Sequence, residues 1–160
     1  MQEAGSQNQE SEGSKEKMKE NRGEEKTVRD RGGKTTSPVI RSFRDLKVFT
    51  LAYDLSTDVF HKTKQFPREE LYSLTDQIRR SSRSISVNIA EGWAKRHFEN
   101  IFKRHLLDSM GSCDETKVWL DFALNCQYMT KEDHAALSTR CEEVSKMLYS
   151  LFINWKTFKK

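Results

Sequence analysis

Arg79, Arg80 and Arg83 lie within five residues of one another in a chain of 160. Lys95, Arg96, Lys103 and Arg104 follow close behind, and residues 77 to 106 hold only two acids, Glu91 and Glu99. Contacts to phosphate come mainly from arginine and lysine; they give affinity without base readout, and that affinity falls with salt. Helical residues advance by about 100° each. With Ile78 set toward a core, Arg79, Arg83 and Arg80 fall at about +100°, +140° and +200°, away from the seam and within one arc. Lys103 and Arg104 bear the same relation to Phe102. These spacings predict a basic strip that meets an RNA or DNA backbone. The competing expectation is a solvated helix face with local acidic partners such as Asp76.

Asn88 and Glu91 are three residues apart and share a helix face. A catalytic pair would need a nucleophile or a histidine beside it, and none is adjacent in sequence. The expectation is structural. The Glu91 carboxylate accepts from Arg80 or Gln77, and Asn88 satisfies backbone groups where the helix ends at Gly92. The histidines are His61, His97, His105 and His134. They form no HExxH and no repeated Glu-x-x-His, so neither a zinc protease nor a di-iron bundle is indicated. His105, Asp108 and Asp114-Glu115 do not clearly supply three ligands on one face. No P-loop, nucleophile elbow or dinucleotide fingerprint is present. No enzyme, metal or cofactor is expected. Trp93, beside Lys95 and Arg96, suits either stacking on a base or packing against a neighbouring subunit.

The elements that must carry these residues are helical. The hydrophobic fraction is 35% and the charged fraction 32%, with two prolines and seven glycines. That balance suits a helical, water-exposed protein better than a β-sandwich. The three cysteines, Cys113, Cys126 and Cys141, make no CxxC pair, so reduced thiols in a cytoplasm are expected. The start lacks the pattern of a signal peptide, and no apolar run reaches the roughly 20 residues of a membrane span.

Residues 1–37 contain no aromatic side chain and are expected to be a disordered arm. Arg29 to Lys34 in that arm read as a solvated extension or as an RNA-touching tail. Residues 38–160 read as one antiparallel up-and-down four-helix bundle, an all-α fold. Ser42 caps a first helix carrying Leu46, Val48, Phe49, Ala52, Tyr53, Leu55, Val59 and Phe60, ending at Phe66-Pro67. The second has a seam of Leu71, Leu74, Ile78, Ile85 and Ile89, with Ser81 or Ser82 at a weakened layer.

The third helix runs from about Glu99 to Met129. Phe98, Phe102, Leu106, Met110, Cys113, Leu120 and Leu124 form one stripe, and Ile101, Leu107, Val118 and Phe122 a second. Gly111-Ser112 lies midway, where close helix packing would explain a glycine that costs roughly 1 kcal/mol. Thr130 caps the fourth helix, whose seam is Leu137, Cys141, Val144, Leu148, Leu151 and Trp155, widened by Tyr149, Phe152 and Phe158. Apolar stripes wider than one seam predict a homo-oligomer.

Several short stretches resemble one family. They are Phe43-Arg-Asp-Leu-Lys-Val48 with Ala52, Phe66-Pro67 with Glu70, and Leu74-Thr-Asp-Gln-Ile-Arg-Arg80. Ser84-Ile85 with Asn88-Ile-Ala-Glu-Gly92, and Gly111-Ser112 with Glu115, complete the set. In order and spacing they resemble the four helix bundle proteins, also called ribosomal RNA intervening-sequence proteins, over nearly all of residues 43–155. Gln77, Asn88, Glu91, Gly92, Gly111, Ser112 and Glu115 are the motif residues, with structural roles expected.

The resemblance implies a left-handed four-helix bundle, assembled as a homopentamer in a bacterial cytoplasm. Genes of the family often lie within intervening sequences of the 23S ribosomal RNA gene. A similar basic pentamer, the accessory variability protein of diversity-generating retroelements, binds a reverse transcriptase and nucleic acid. Two functions therefore stay open: a nucleic-acid-binding bundle, or a protein-interaction scaffold for a nucleic-acid enzyme such as a reverse transcriptase. The sequence departs from the family at Ser81 and Ser82 (usually alanine), Arg83 (apolar), Ser86 (proline) and Ser73 (glycine).

Overall fold

The computed structural model describes residues 40–156. The expected arm, with Arg29 to Lys34, and Phe158 lie outside the described residues. Four helices follow one another: α1 Lys47–Lys62, α2 Leu74–Ala94, α3 Glu99–Asn125 and α4 Lys131–Asn154. The α1 helix packs on α2 and α4, and α3 packs on α2 and α4, so the four close into a ring around one core. Phe102, Leu55, Ile78, Ile85, Ile89, Leu106, Leu120 and Leu148 are fully buried in it, each contributing about 1.5–3 kcal/mol by leaving water. Among the described residues no helix is long and apolar enough to cross a membrane.

The helix ends follow local chemistry. Ser42 and Asp45 form a capping box around a 3-10 turn, Phe43–Asp45, that leads into α1. Thr130 Oγ1 accepts from the Asp133 N–H, 3.1 Å away, and starts α4 as expected. Other boundaries differ from expectation. The acids after Pro67 open only a 3-10 turn, Arg68–Glu70, and α2 begins at Leu74. Ser73 breaks the chain direction at φ −119°, ψ −104°. The Glu70 carboxylate then accepts from the Ser73 hydroxyl and from the Leu74 N–H. Leu71 is therefore exposed rather than part of the seam.

The third helix ends at Asn125, four residues before the expected bound at Met129. Gln127 takes a left-handed φ of 60°. The Tyr128 N–H donates to the Ala123 carbonyl and the Gln127 N–H to that of Leu124. This is a Schellman stop with glutamine where glycine is usual, which is why no glycine announced it. Phe98 precedes the helix and is 66% exposed, so it too leaves the expected core stripe.

The α2–α3 contact is the most intimate and the most polar. Ser81, Ser109, Ser112 and Thr116 are all buried there. Ser109 Oγ donates to the Ile85 carbonyl at 2.9 Å, and Thr116 Oγ1 and Ser81 Oγ share a bond at 3.0 Å. Small side chains let the backbones approach while their hydroxyls stay satisfied. Gly92 completes that contact. A Cβ there would lie 2.8 Å from His105 Cβ and 3.0 Å from Phe102 Cδ2. Gly92 therefore does not end α2, which continues to Ala94. Gly111 has the reverse situation: a Cβ would meet nothing within 4 Å. Close packing explains Gly92 and does not explain Gly111.

Candidate nucleic-acid interface

The basic residues do not share one face. Arg79 and Arg83 turn toward α1. The Arg79 guanidinium lies 4.9 Å from the Phe60 ring centroid and its Nε donates to Thr63 Oγ1 at 2.7 Å. Arg83 reaches the same ring at 5.7 Å. Lys64 Nζ, just beyond α1, joins them at 4.9 Å. Three cations thus gather on one aromatic ring, each gaining from the ring's negative face. Arg80 points elsewhere and reaches Asp76 at 3.7 Å, as the competing expectation had it.

The basic residues of α3 are neutralised along their own helix. Lys103 Nζ is 2.8 Å from Glu99 and lies over the Phe152 ring of α4. Arg104 reaches Asp108 at 3.2 Å. Arg96 stacks on Trp93 at 4.5 Å and donates to its carbonyl. Trp93 itself is buried in its own bundle, edge-on to Trp155, so neither base stacking nor packing on a neighbour is its role. Among the described residues, Lys64, Arg79 and Arg83 make no ion pair with a carboxylate, whereas Arg80, Lys103 and Arg104 each do.

A groove of about 380 Å³ runs beside this cluster. Tyr53, Ser56, Thr57 and Phe60 line it from α1, and Arg83, Ser86 and Val87 from α2. Tyr53 and Val87 are more than half exposed. The sequence reading missed Lys64, Phe60 and Tyr53 as site residues. Their signal was the width of the α1 stripe: Tyr53 and Phe60, seven apart, lie off the seam that Ala52, Leu55 and Val59 define.

Among the motif residues, Asn88, Glu91 and Gly92 lie on the side of α2 that faces α3 and Ser112 stands opposite on α3, whereas Gly111 is exposed. Asn88 Nδ2 donates to Ser84 Oγ at 3.1 Å, and Ser112 Oγ bonds to the same oxygen at 3.2 Å. Glu91 Oε2 meets neither Arg80 nor Gln77. It lies 4.0 Å from His105 Nδ1, an ion-pair distance when the imidazole is charged, while Lys95 Nζ is 2.9 Å from His105 Nε2. Asn88 thus bonds within α2, to a serine that Ser112 of α3 also meets, and neither Asn88 nor Glu91 caps the helix end. At the far end of the same seam Glu115 accepts from the indole N–H of Trp119 at 3.3 Å. Gln77 there lines a second groove with Leu74, Trp119 and Phe122. No group of three or more metal-binding side chains occurs among the described residues.

Residues 44–150 match the family described as "23S rRNA-intervening sequence protein". A crystal structure from Bacteroides thetaiotaomicron, titled as a protein with unknown function from the S23 ribosomal protein family, superposes with a TM-score of 0.62. The identity is 23%, over 67% of this chain and 96% of that one, so the likeness concerns the fold. No curated protein matches the chain.

Proposed function

This chain belongs to the 23S rRNA-intervening sequence protein family, and on that premise we propose that it is a non-enzymatic bundle that binds nucleic acid by its phosphate backbone. The observation that carries this reading is the cluster of Lys64, Arg79 and Arg83 on Phe60, cations held in place without a carboxylate to neutralise them. Arg80 and Arg104, by contrast, are each paired with an acid one turn away. A phosphate oxygen completes what the α1–α2 face lacks. Lys95 and Arg96, at the end of α2, would extend contact along the backbone.

Fluorescence anisotropy of the full chain with ribosomal RNA fragments, across a salt series, tests this. Lys64→Ala and Arg83→Ala should each weaken binding and shallow the salt slope by about one. Arg104→Ala, which removes a cation already paired, should change affinity little. A flat titration at low salt refutes the proposal and favours the scaffold role, in which the same cations meet an acidic protein. We also infer self-association. Leu107, Val118 and Phe122 lie on one exposed face of α3, and light scattering on residues 38–160 should show an oligomer; a monomer would overturn it.

A further inference from the structure

Resting on the nucleic-acid reading, we propose that the α1–α2 groove is a seat for one unstacked base, so that the protein's ligand is single-stranded. Lys64, Arg79 and Arg83 explain attraction to any phosphate backbone, duplex included. The groove beside them adds two features that a duplex cannot use. The first is an open aromatic face. Tyr53 is 57% exposed, and its ring lies at 29° to that of Phe49, with centroids 6.2 Å apart. Phe49 supports the ring from one turn earlier on α1, and Tyr53 lines the groove with more than half of its surface exposed. Val87 faces it from α2 and is half exposed. An aromatic plane on one wall and an apolar side chain on the other form a slot for a flat heterocycle. Bases paired inside a duplex hide their faces and cannot enter it.

The second feature is the hydrogen-bonding character of the floor. Ser56 Oγ donates to the Tyr53 carbonyl at 2.7 Å, and Thr57 Oγ1 donates to the same carbonyl at 3.1 Å. Ser86 Oγ donates to the Arg83 carbonyl at 3.0 Å. A carbonyl only accepts, so each hydroxyl proton is spent within its own helix. The three oxygens present lone pairs to the groove. A base that enters is therefore read by its donors, above all by an exocyclic amino group. Arg83 stands at the rim, over Phe60, where the phosphate next to a seated base would lie. The groove thus combines stacking wall, acceptor floor and cationic rim at the scale of one nucleotide.

The test uses the full chain and labelled RNA oligonucleotides of about ten residues, within the span of known single-strand sites, beside a duplex of equal length. Single strands are expected to bind more tightly than the duplex, and oligocytidylate, with its amino group, about fivefold more tightly than oligouridylate. Tyr53→Ala should weaken single-strand binding by about tenfold and duplex binding by much less. Tyr53→Phe, which keeps the ring, should retain it. Arg83→Ala should weaken both ligands. Equal affinity for both forms, or a Tyr53→Ala variant that binds single strands normally, overturns the base seat and leaves the backbone reading standing. A preference for oligouridylate overturns the acceptor floor. Absence of binding to either form at low salt overturns both readings together.

Discussion

At the scale of single residues, packing sets opposite demands on Gly92 and Gly111. An added methyl at Gly92 would press on the Phe102 ring, buried in the core, and on the Cβ of half-buried His105. Gly92→Ala is expected to destabilise by about 1–2 kcal/mol, despite a helix-propensity gain of roughly 1 kcal/mol. Gly111→Ala meets open space and should stabilise by about 0.5–1 kcal/mol. Urea denaturation of the two variants reads both signs, and a stabilised Gly92→Ala would contradict the close approach. The thiols separate in the same way. Burial pushes Cys113 up to about 11 and Cys141 up to about 12, while Cys126 is exposed. Ellman titration of native protein at about pH 8 should count one fast thiol, and three after unfolding. Seam periodicity already separates Cys113 and Cys141 from Cys126, but it does not distinguish the two glycines, because the deciding atoms at Gly92 belong to another helix.

Helix boundaries differ in whether their capping atoms are local. Thr130 and the Ser42–Asp45 box are caps whose atoms are all local, and they are legible in sequence. The end of α3 is not, because Gln127 occupies a left-handed position that favours glycine. Gln127→Gly is therefore expected to stabilise by about 0.5–1 kcal/mol, measured as a higher urea midpoint at unchanged slope. The start of α2 is likewise hidden. Glu69 and Glu70 look like helix-opening acids, yet the Glu70 carboxylate serves as a cap from outside the helix. It also accepts from the Tyr128 hydroxyl at 3.2 Å, a partner 58 residues away. The periodicity of α2 correctly places Ile78, Ile85 and Ile89 inside and the arginines outside. It does not say which neighbour each arginine meets. Phe60 draws Arg79 and Arg83 to α1, and Asp76 holds Arg80 apart.

For the whole molecule, two carboxylates shape the acid side of stability. The Ser73 hydroxyl, the Leu74 N–H and the Tyr128 hydroxyl hold Glu70 below the usual carboxylate range. The Arg41 and Ser42 N–H groups do the same for Asp45. Both groups bind protons more readily unfolded than folded, so their stabilisation is complete above the unfolded carboxylate value. It is lost as pH falls through the lower folded values. Glu70→Gln combined with Asp45→Asn should flatten that acid limb while leaving its shape near neutral pH unchanged, as followed by thermal unfolding across pH. The sequence by itself determined the all-α class, the four helices and most of the seam, because 3.6-residue periodicity and local caps need no distant partner. It also carried the family likeness, which rests on residue order alone. Only the tertiary structure decided which cations cluster on Phe60. It alone set Ser112 against Ser84 on the α2–α3 seam, brought Glu91 beside His105, and opened the groove between Tyr53 and Val87. Each of these is a contact between helices, and a helix's own spacing gives direction outward without naming what stands there.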